Sequence, residues 1–257
     1  MPRNTSIARK IKRWASLLLV LIRPSTIRNT AWFVLDYAEL KRQCRTQANG
    51  GQQFLLYPCL NDRTTFTPVE PTYFFQDTWA ARKIFLKKPT EHYDIGSSAK
   101  TIGIISQFVP TTMIDIRPID LHLDGLNFLE GSILAIPAEN DSLKSISSLC
   151  VVEHIGLGRY GDPIDATGSE KAAKELQRVL AVGGDLYFSV PVDDACKIYF
   201  NAHRAFTRDY IISLFDKLTL VDEKYHYGRE MLSGYDAGRG FGTGLFHFTK
   251  TKACGPR

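Results

Sequence analysis

From residue 92 onward, short apolar runs alternate with amphipathic stretches, each closed by a turn signal. Residues 92–95 are predicted to form a short buried strand that Gly96 turns, with Ser97 or Ser98 capping a helix through Phe108. Thr112–Ile116 is a second predicted strand and Leu126–Leu129 a third. Ile146–Val152 is a fourth, with the near-continuous apolar character of a strand buried on both faces. Thr167–Glu170 reads as a capping box. Behind it Ala172, Ala173, Leu176, Val179 and Leu180 share one helical face, and Gly183–Gly184 is expected to end that helix. A fifth strand over Asp185–Val192, a helix over 207–216 and a strand over Leu218–His226 follow. A glycine-rich loop over 228–242 then leads into a last strand, Thr243–Thr249. This alternation predicts an α/β fold around a mainly parallel sheet.

The first third has a different pattern. Residues 26–48 are predicted helical, with Trp32, Phe33, Leu35 and Leu40 buried, and Asn49-Gly50-Gly51 ends the segment. Residues 52–71 contain Pro58, Pro68 and Pro71 and read as a connector. Helix resumes at about Gln76–Phe85, where Trp79, Ile84 and Phe85 are expected to cover the sheet. The chain therefore divides into an N-terminal helical segment (1–50), a connector with a covering helix (51–88) and the α/β domain (89–257).

Charge sharpens the reading of the N-terminus. Residues 1–35 carry seven cations (Arg3, Arg9, Lys10, Lys12, Arg13, Arg23 and Arg28) and no acid, so of the chain's net +5 the remainder carries about −2. A nearly neutral body argues against nucleic acid as a partner, because phosphate binding needs a basic face. The apolar run Trp14–Ile22 has nine residues, far short of the roughly 20 that span a bilayer. Arg23-Pro24 follows it without a small-x-small cleavage site. Two readings stand: residues 1–23 lie on an anionic membrane surface, or they pack on the domain with their cations solvated. The five cysteines are scattered and form no C-x-x-C, which fits reduced thiols in the cytoplasm and no structural metal site.

The candidate chemistry lies at the strand ends. Asp115 closes the second strand 21 residues after Asp94, and Gly96 turns the first. A strand, a glycine turn, a helix and an acid about 20 residues on can hold a nucleoside, with the acid on the ribose hydroxyls. Gly96-Ser97-Ser98 lacks the G-x-G-x-x-G that crowds a pyrophosphate, so it suits a ligand without phosphates, such as S-adenosylmethionine (SAM). The alternative is an ordinary strand-turn-helix that binds nothing.

Several strings carry a family resemblance. Lys174–Pro191, the Val151–Ile155 strand end, Asp94-Ile95-Gly96 and Asp115 together resemble class I SAM-dependent methyltransferases over residues 90–250. A narrower resemblance, to the DUF268 family of unknown function, rests on six strings: Tyr57–Leu60, Gln76-Asp77, Asp94–Ser97, Asp115–Pro118, Glu153–Pro163 and Phe200–Arg204. These resemblances imply a Rossmann-like methyltransferase fold with a final antiparallel strand and added N-terminal helices. They imply SAM held by Asp94, Gly96, Ser97, Ser98, Asp115 and Ile116. Two departures mark that set: the G-x-G-x-G is thinned, and Ser132 and Ile133 stand where an acid near the adenine is expected, Ser132 to bond the adenine edge and Ile133 to pack on its face.

Methyl transfer to oxygen needs a positioned acceptor and a base for its proton. His154, His203 and Glu153 are the candidates, because they follow the fourth and fifth strands, where the methyl would be presented. His154 can equally be a hydrogen-bonded packing residue. Arg159, Tyr160 and Arg204 can bind a polar or anionic acceptor, or the arginines can brace the loop, as expected of Asp162. No G-x-S-x-G, Walker or H-E-x-x-H motif is present. The expected activity is O-methylation of a glycan or other polar small molecule. The alternative is a non-catalytic protein on this fold, acting as a partner in an envelope or glycan pathway.

Overall fold

A computed structural model of the chain describes residues 24–46 and 54–251. It divides into two compact units, Met1–Pro68 and Val69–Arg257. In the first, helix α1 (Pro24–Thr46) leaves Leu35 and Leu40 exposed, contrary to expectation. The connector covers only part of it: Arg63 stacks over Trp32 and Phe54 sits edge-on to Tyr37. The expectation for residues 1–23 falls outside the described residues.

The second unit opens with α2 (Pro71–Lys87). Pro71 suits a first turn, and the Glu70 carboxylate caps it by accepting from the Tyr73 amide at 2.7 Å. Its buried stripe is Gln76, Ala80 and Ile84, four residues apart. Phe85, one position off that stripe, is exposed and rests against Phe108 instead of the sheet. Trp79 is half-buried against Tyr187.

Five parallel strands follow in chain order: β1 (His92–Ile95), β2 (Thr111–Asp115), β3 (Leu126–Glu130), β4 (Leu143–Leu149) and β5 (Leu180–Val192). Between them lie α3 (Ala99–Ile105) and α4 (Gly168–Val179). A short hairpin, β6 (Lys197–Tyr199) and β7 (His203–Ala205), forms its own two-stranded sheet. Then come α5 (Arg208–Leu214), β8 (Thr219–Tyr227), β9 (Glu230–Leu232) and β10 (Gly242–Thr249). The main sheet runs β3-β2-β1-β4-β5-β10-β8-β9, with β10 antiparallel to both β5 and β8. The α/β architecture and the final antiparallel strand are as expected. Successive strands run outward from β1 to β3, then the chain returns to place β4 on β1's other side. The β1/β4 boundary is therefore the switch point where an open α/β sheet leaves a crevice.

Local details differ from the sequence reading for identifiable reasons. β4 starts earlier and stops at Leu149, because Cys150 takes φ +53° and breaks the extended backbone. α3 ends at Ile105 rather than Phe108. The Thr167 box is not formed: its hydroxyl and amide both donate to Asp165, and Glu170 accepts from the Tyr210 hydroxyl. α4 ends at Val179, and Gly183-Gly184 make a bend inside β5 where they exchange backbone bonds with Lys250. The apolar face of α4 is as read: Ala172, Ala173, Leu176 and Val179 are fully buried in the main core with Leu186, Phe188 and Phe246.

Candidate active site

The site is built at the C-terminal ends of β1, β2, β3 and β4. Gly96 ends β1 with φ +74°. That φ favours glycine, and a Cβ there would also crowd Val151 Cγ1 at 3.0 Å. Asp94 does not face the cavity. It is fully buried and accepts from the Ser97 amide (2.9 Å), the Ser97 hydroxyl (2.6 Å) and the Ser147 hydroxyl (2.5 Å). Burial pushes its pKa up to about 6, against the pull of those bonds. Asp94 thus ties the turn to β4. Ser97 takes part in the same tie, since its oxygen also accepts from the Leu149 amide. Ser98 occupies the N-cap of α3, but its hydroxyl makes no capping bond.

Asp115 reaches the cavity. Its Oδ1 accepts from the Arg117 amide at 2.8 Å, and the carboxylate is only 10% exposed. With Gly96, Ile116, Ser132 and Ile133 it lines a mostly apolar chamber of about 320 Å³. Gly131 lets the segment after β3 close in, since a Cβ there would meet Pro137 at 2.8 Å and Ile114 at 2.9 Å. Ser132 accepts from the Leu134 amide at 3.2 Å, and Ile133 is buried.

A second, more polar chamber of about 380 Å³ adjoins the first and shares Gly96, Arg117, Cys150, His154 and Tyr160 with it. Glu153, His154 and His203 all line it, which brings the two histidines to one cleft. They meet because β4 and β5 are neighbours and β6–β7 folds back over the loop after β4. Ala202 O accepts from His154 Nδ1 at 2.7 Å and from Arg159 Nη1 at 3.0 Å. That carbonyl places the proton on Nδ1 and leaves Nε2 with its lone pair. Burial lowers the His154 pKa to about 4, so the ring is neutral at pH 7. His154 is half-buried and bonded to backbone, as a packing residue would be, yet it lines both chambers. Burial, with Arg159 nearby, also lowers the His203 pKa.

Glu153 is 1% exposed, and burial raises its pKa to about 8, so it is a neutral acid at pH 7. Its Oε1 lies 3.8 Å from His154 Nε2, and Oε2 has no partner among the described residues. Asp162 braces the loop, accepting from the amides of Gly156, Gly158 and Tyr160. Arg204 is a brace as well: it is buried and donates to Ile155 O and Asp165 O, away from both chambers. Arg159 and Tyr160 are exposed at the chamber mouth.

Arg117, Cys150, Tyr73 and Phe241 also line the second chamber and were not singled out as site residues. Arg117 could have been found, since it follows Asp115 within the Asp115–Pro118 string. Phe241 could not, because it arrives from a loop more than 120 residues away in sequence.

Comparison with solved structures places this fold among methyltransferase-like proteins. The N-methyltransferase NodS of Bradyrhizobium japonicum WM9, solved with S-adenosylhomocysteine, aligns over 75% of this chain and 91% of its own at 17% identity and a TM-score of 0.51. The 1,6-didemethyltoxoflavin-N1-methyltransferase of Burkholderia thailandensis, also with S-adenosylhomocysteine, aligns over 70% and 84% at 13% identity and a TM-score of 0.51. The [4+2]-cyclase SpnF aligns over 69% and 82% at 10% identity and a TM-score of 0.52. A cyclase on a similar fold carries out a different reaction, so the likeness establishes the fold alone. No curated protein matches the sequence. Residues 137–228 match the family model described as Caenorhabditis protein of unknown function, DUF268, so the DUF268 resemblance holds from the approach to β4 through β8, on a Rossmann-like methyltransferase fold.

Proposed function

We propose that this protein is a SAM-dependent methyltransferase acting on a hydroxyl oxygen of a glycan or other polar small molecule. The observation that carries the reading is the pair of joined chambers: Gly96 and Asp115 stand side by side in the wall of the apolar one, and His154 stands at its junction with the polar one. Asp115 would accept from the ribose hydroxyls, Ile116 and Ile133 would pack on the adenine, and Ser132 would bond its edge. The Gly96 turn fits such a group, because it lines the chamber without adding a side chain to it. The bound donor supplies an electrophilic methyl group. His154, neutral with Nε2 unprotonated, takes the acceptor hydroxyl's proton. His203 orients the acceptor from the facing hairpin.

Calorimetric titration with S-adenosylhomocysteine tests the reading, with micromolar binding expected. The absence of binding favours the second reading, a non-catalytic protein on this fold that acts as a partner in an envelope or glycan pathway. One observation favours that second reading: the Ser97 amide and hydroxyl are committed to Asp94, so the thinned turn offers a ligand fewer donors.

Residues 1–23 belong to this proposal as a basic segment resting on an anionic membrane face, in a protein working in the cytoplasm. Among the described residues no helix is long and apolar enough to cross a membrane. Deletion of residues 1–23 is expected to abolish co-sedimentation with phosphatidylserine vesicles at low salt and to leave the thermal melt unchanged. A full-length chain that ignores such vesicles makes the segment structural.

A further inference from the structure

We infer that the second chamber selects an acidic acceptor, a sugar carrying a carboxylate or phosphate, gripped by Arg117 and Arg159 and received at its inner end by Glu153. This deepens the methyltransferase reading and rests on it for the word acceptor.

The two arginines flank one ring: the guanidinium carbons lie 4.6 Å (Arg117) and 5.2 Å (Arg159) from the Tyr160 centroid. Contact with the ring restrains otherwise mobile side chains, and a restrained guanidinium suits bidentate recognition of a carboxylate or phosphate. Both residues are exposed and line the second chamber, and each guanidinium carries five N–H donors. Arg159 engages one amino nitrogen with Ala202 O, and Arg117 approaches Asp115 only to 3.7 Å.

The nearby acids leave both guanidinium groups open to a ligand: Glu70 turns one oxygen to the Tyr73 amide as the cap of α2, Asp162 is held by three amides of its own loop, and Glu153 is held neutral by burial. Asp115 belongs to the apolar chamber, where the ribose would take it. Both histidines on this wall are neutral at pH 7. A donor with a cationic sulfonium would add to the positive field, so an anion in the second chamber relieves repulsion between like charges.

Two further features point to a sugar. Tyr199, His203 and Phe241 form an aromatic cluster beside the chamber, with centroids 4.9 Å (Tyr199–His203) and 5.4 Å (His203–Phe241) apart. The half-exposed Phe241 can cover the C–H face of a pyranose. At the inner end, the unpartnered Glu153 Oε2 is a buried polar atom whose hydrogen-bonding capacity a ligand hydroxyl would satisfy.

The test is calorimetry on the full chain with glucuronate, glucose 6-phosphate and glucose, each with and without saturating S-adenosylhomocysteine. At least one of the two acids is expected to bind about 10-fold or more tightly than glucose. Arg117→Gln and Arg159→Gln should each weaken that acid about 10-fold and leave glucose unchanged. Lys144→Gln, the same charge change at the opposite end of β4, should do neither. The tighter acid identifies the anionic group as carboxylate or phosphate. Equal binding of the acids and glucose overturns the inference, as does an acid affinity indifferent to both arginines or equally sensitive to Lys144. If the acids behave as expected and S-adenosylhomocysteine does not bind, the anion site stands and the methyltransferase reading falls. If S-adenosylhomocysteine binds and the acids do not, the reverse holds.

Discussion

His154→Ala is expected to lower turnover by about 10²–10⁴-fold, the usual contribution of a positioned base, with S-adenosylhomocysteine affinity little changed. The argument runs from the fold. β4 ends at Leu149, Cys150 turns the chain at φ +53°, and residues 152–154 wind into a short helical turn that puts His154 at the junction of the chambers. Ala202 O then fixes its tautomer. The pH profile makes the assignment specific. With a pKa near 4, His154 is unprotonated in the free protein above about pH 5, so kcat/KM should be flat from there to neutrality and fall as the pH approaches 4. An anion bound beside it favours the protonated ring, so the acid limb of kcat should lie at higher pH than that of kcat/KM. Turnover is read as S-adenosylhomocysteine release with the acidic sugar as acceptor. Full activity in His154→Ala together with loss in His203→Ala moves the base to the hairpin.

Asp115→Ala is expected to weaken SAM binding by about 1.5–3 kcal/mol, the range for hydrogen bonds to a charged group. The carboxylate is nearly buried and anchored by the Arg117 amide, and it lines the apolar chamber beside the Gly96 turn. In the proposed binding mode its loss would leave two ribose hydroxyls without their acceptor, and Asp115 is not part of the main core. Calorimetry on a variant with an unchanged melting temperature decides the matter, and unaltered affinity removes Asp115 from the site. Asp94→Asn should behave differently, lowering thermal stability before it affects binding, because Asp94 bonds only to the turn and β4.

The sequence by itself determined the order and kind of the main elements, because each depends on local periodicity. Alternation of short apolar runs with amphipathic stretches gives β1 through β5 and β10, and the face of α4 follows from 3.6-residue spacing. It also located Gly96 and Asp115, since a turn that needs positive φ and an acid at a strand end are marked by residue type and spacing. What it misjudged were choices between competing partners. The Thr167 hydroxyl had a cap to make and bonded Asp165 instead, Asp94 was spent on Ser97 and Ser147, and Arg204 went to backbone carbonyls. Such choices depend on groups that are distant in sequence and adjacent only after folding. The same holds for the second chamber. Glu70, Arg117, His154, His203 and Phe241 come from five separate stretches, and only the sheet order and the β6–β7 hairpin bring them to one wall. Residue types can nominate a base or a cation locally, but which of them share a cavity is decided by the tertiary structure, because a cavity is made of long-range neighbours.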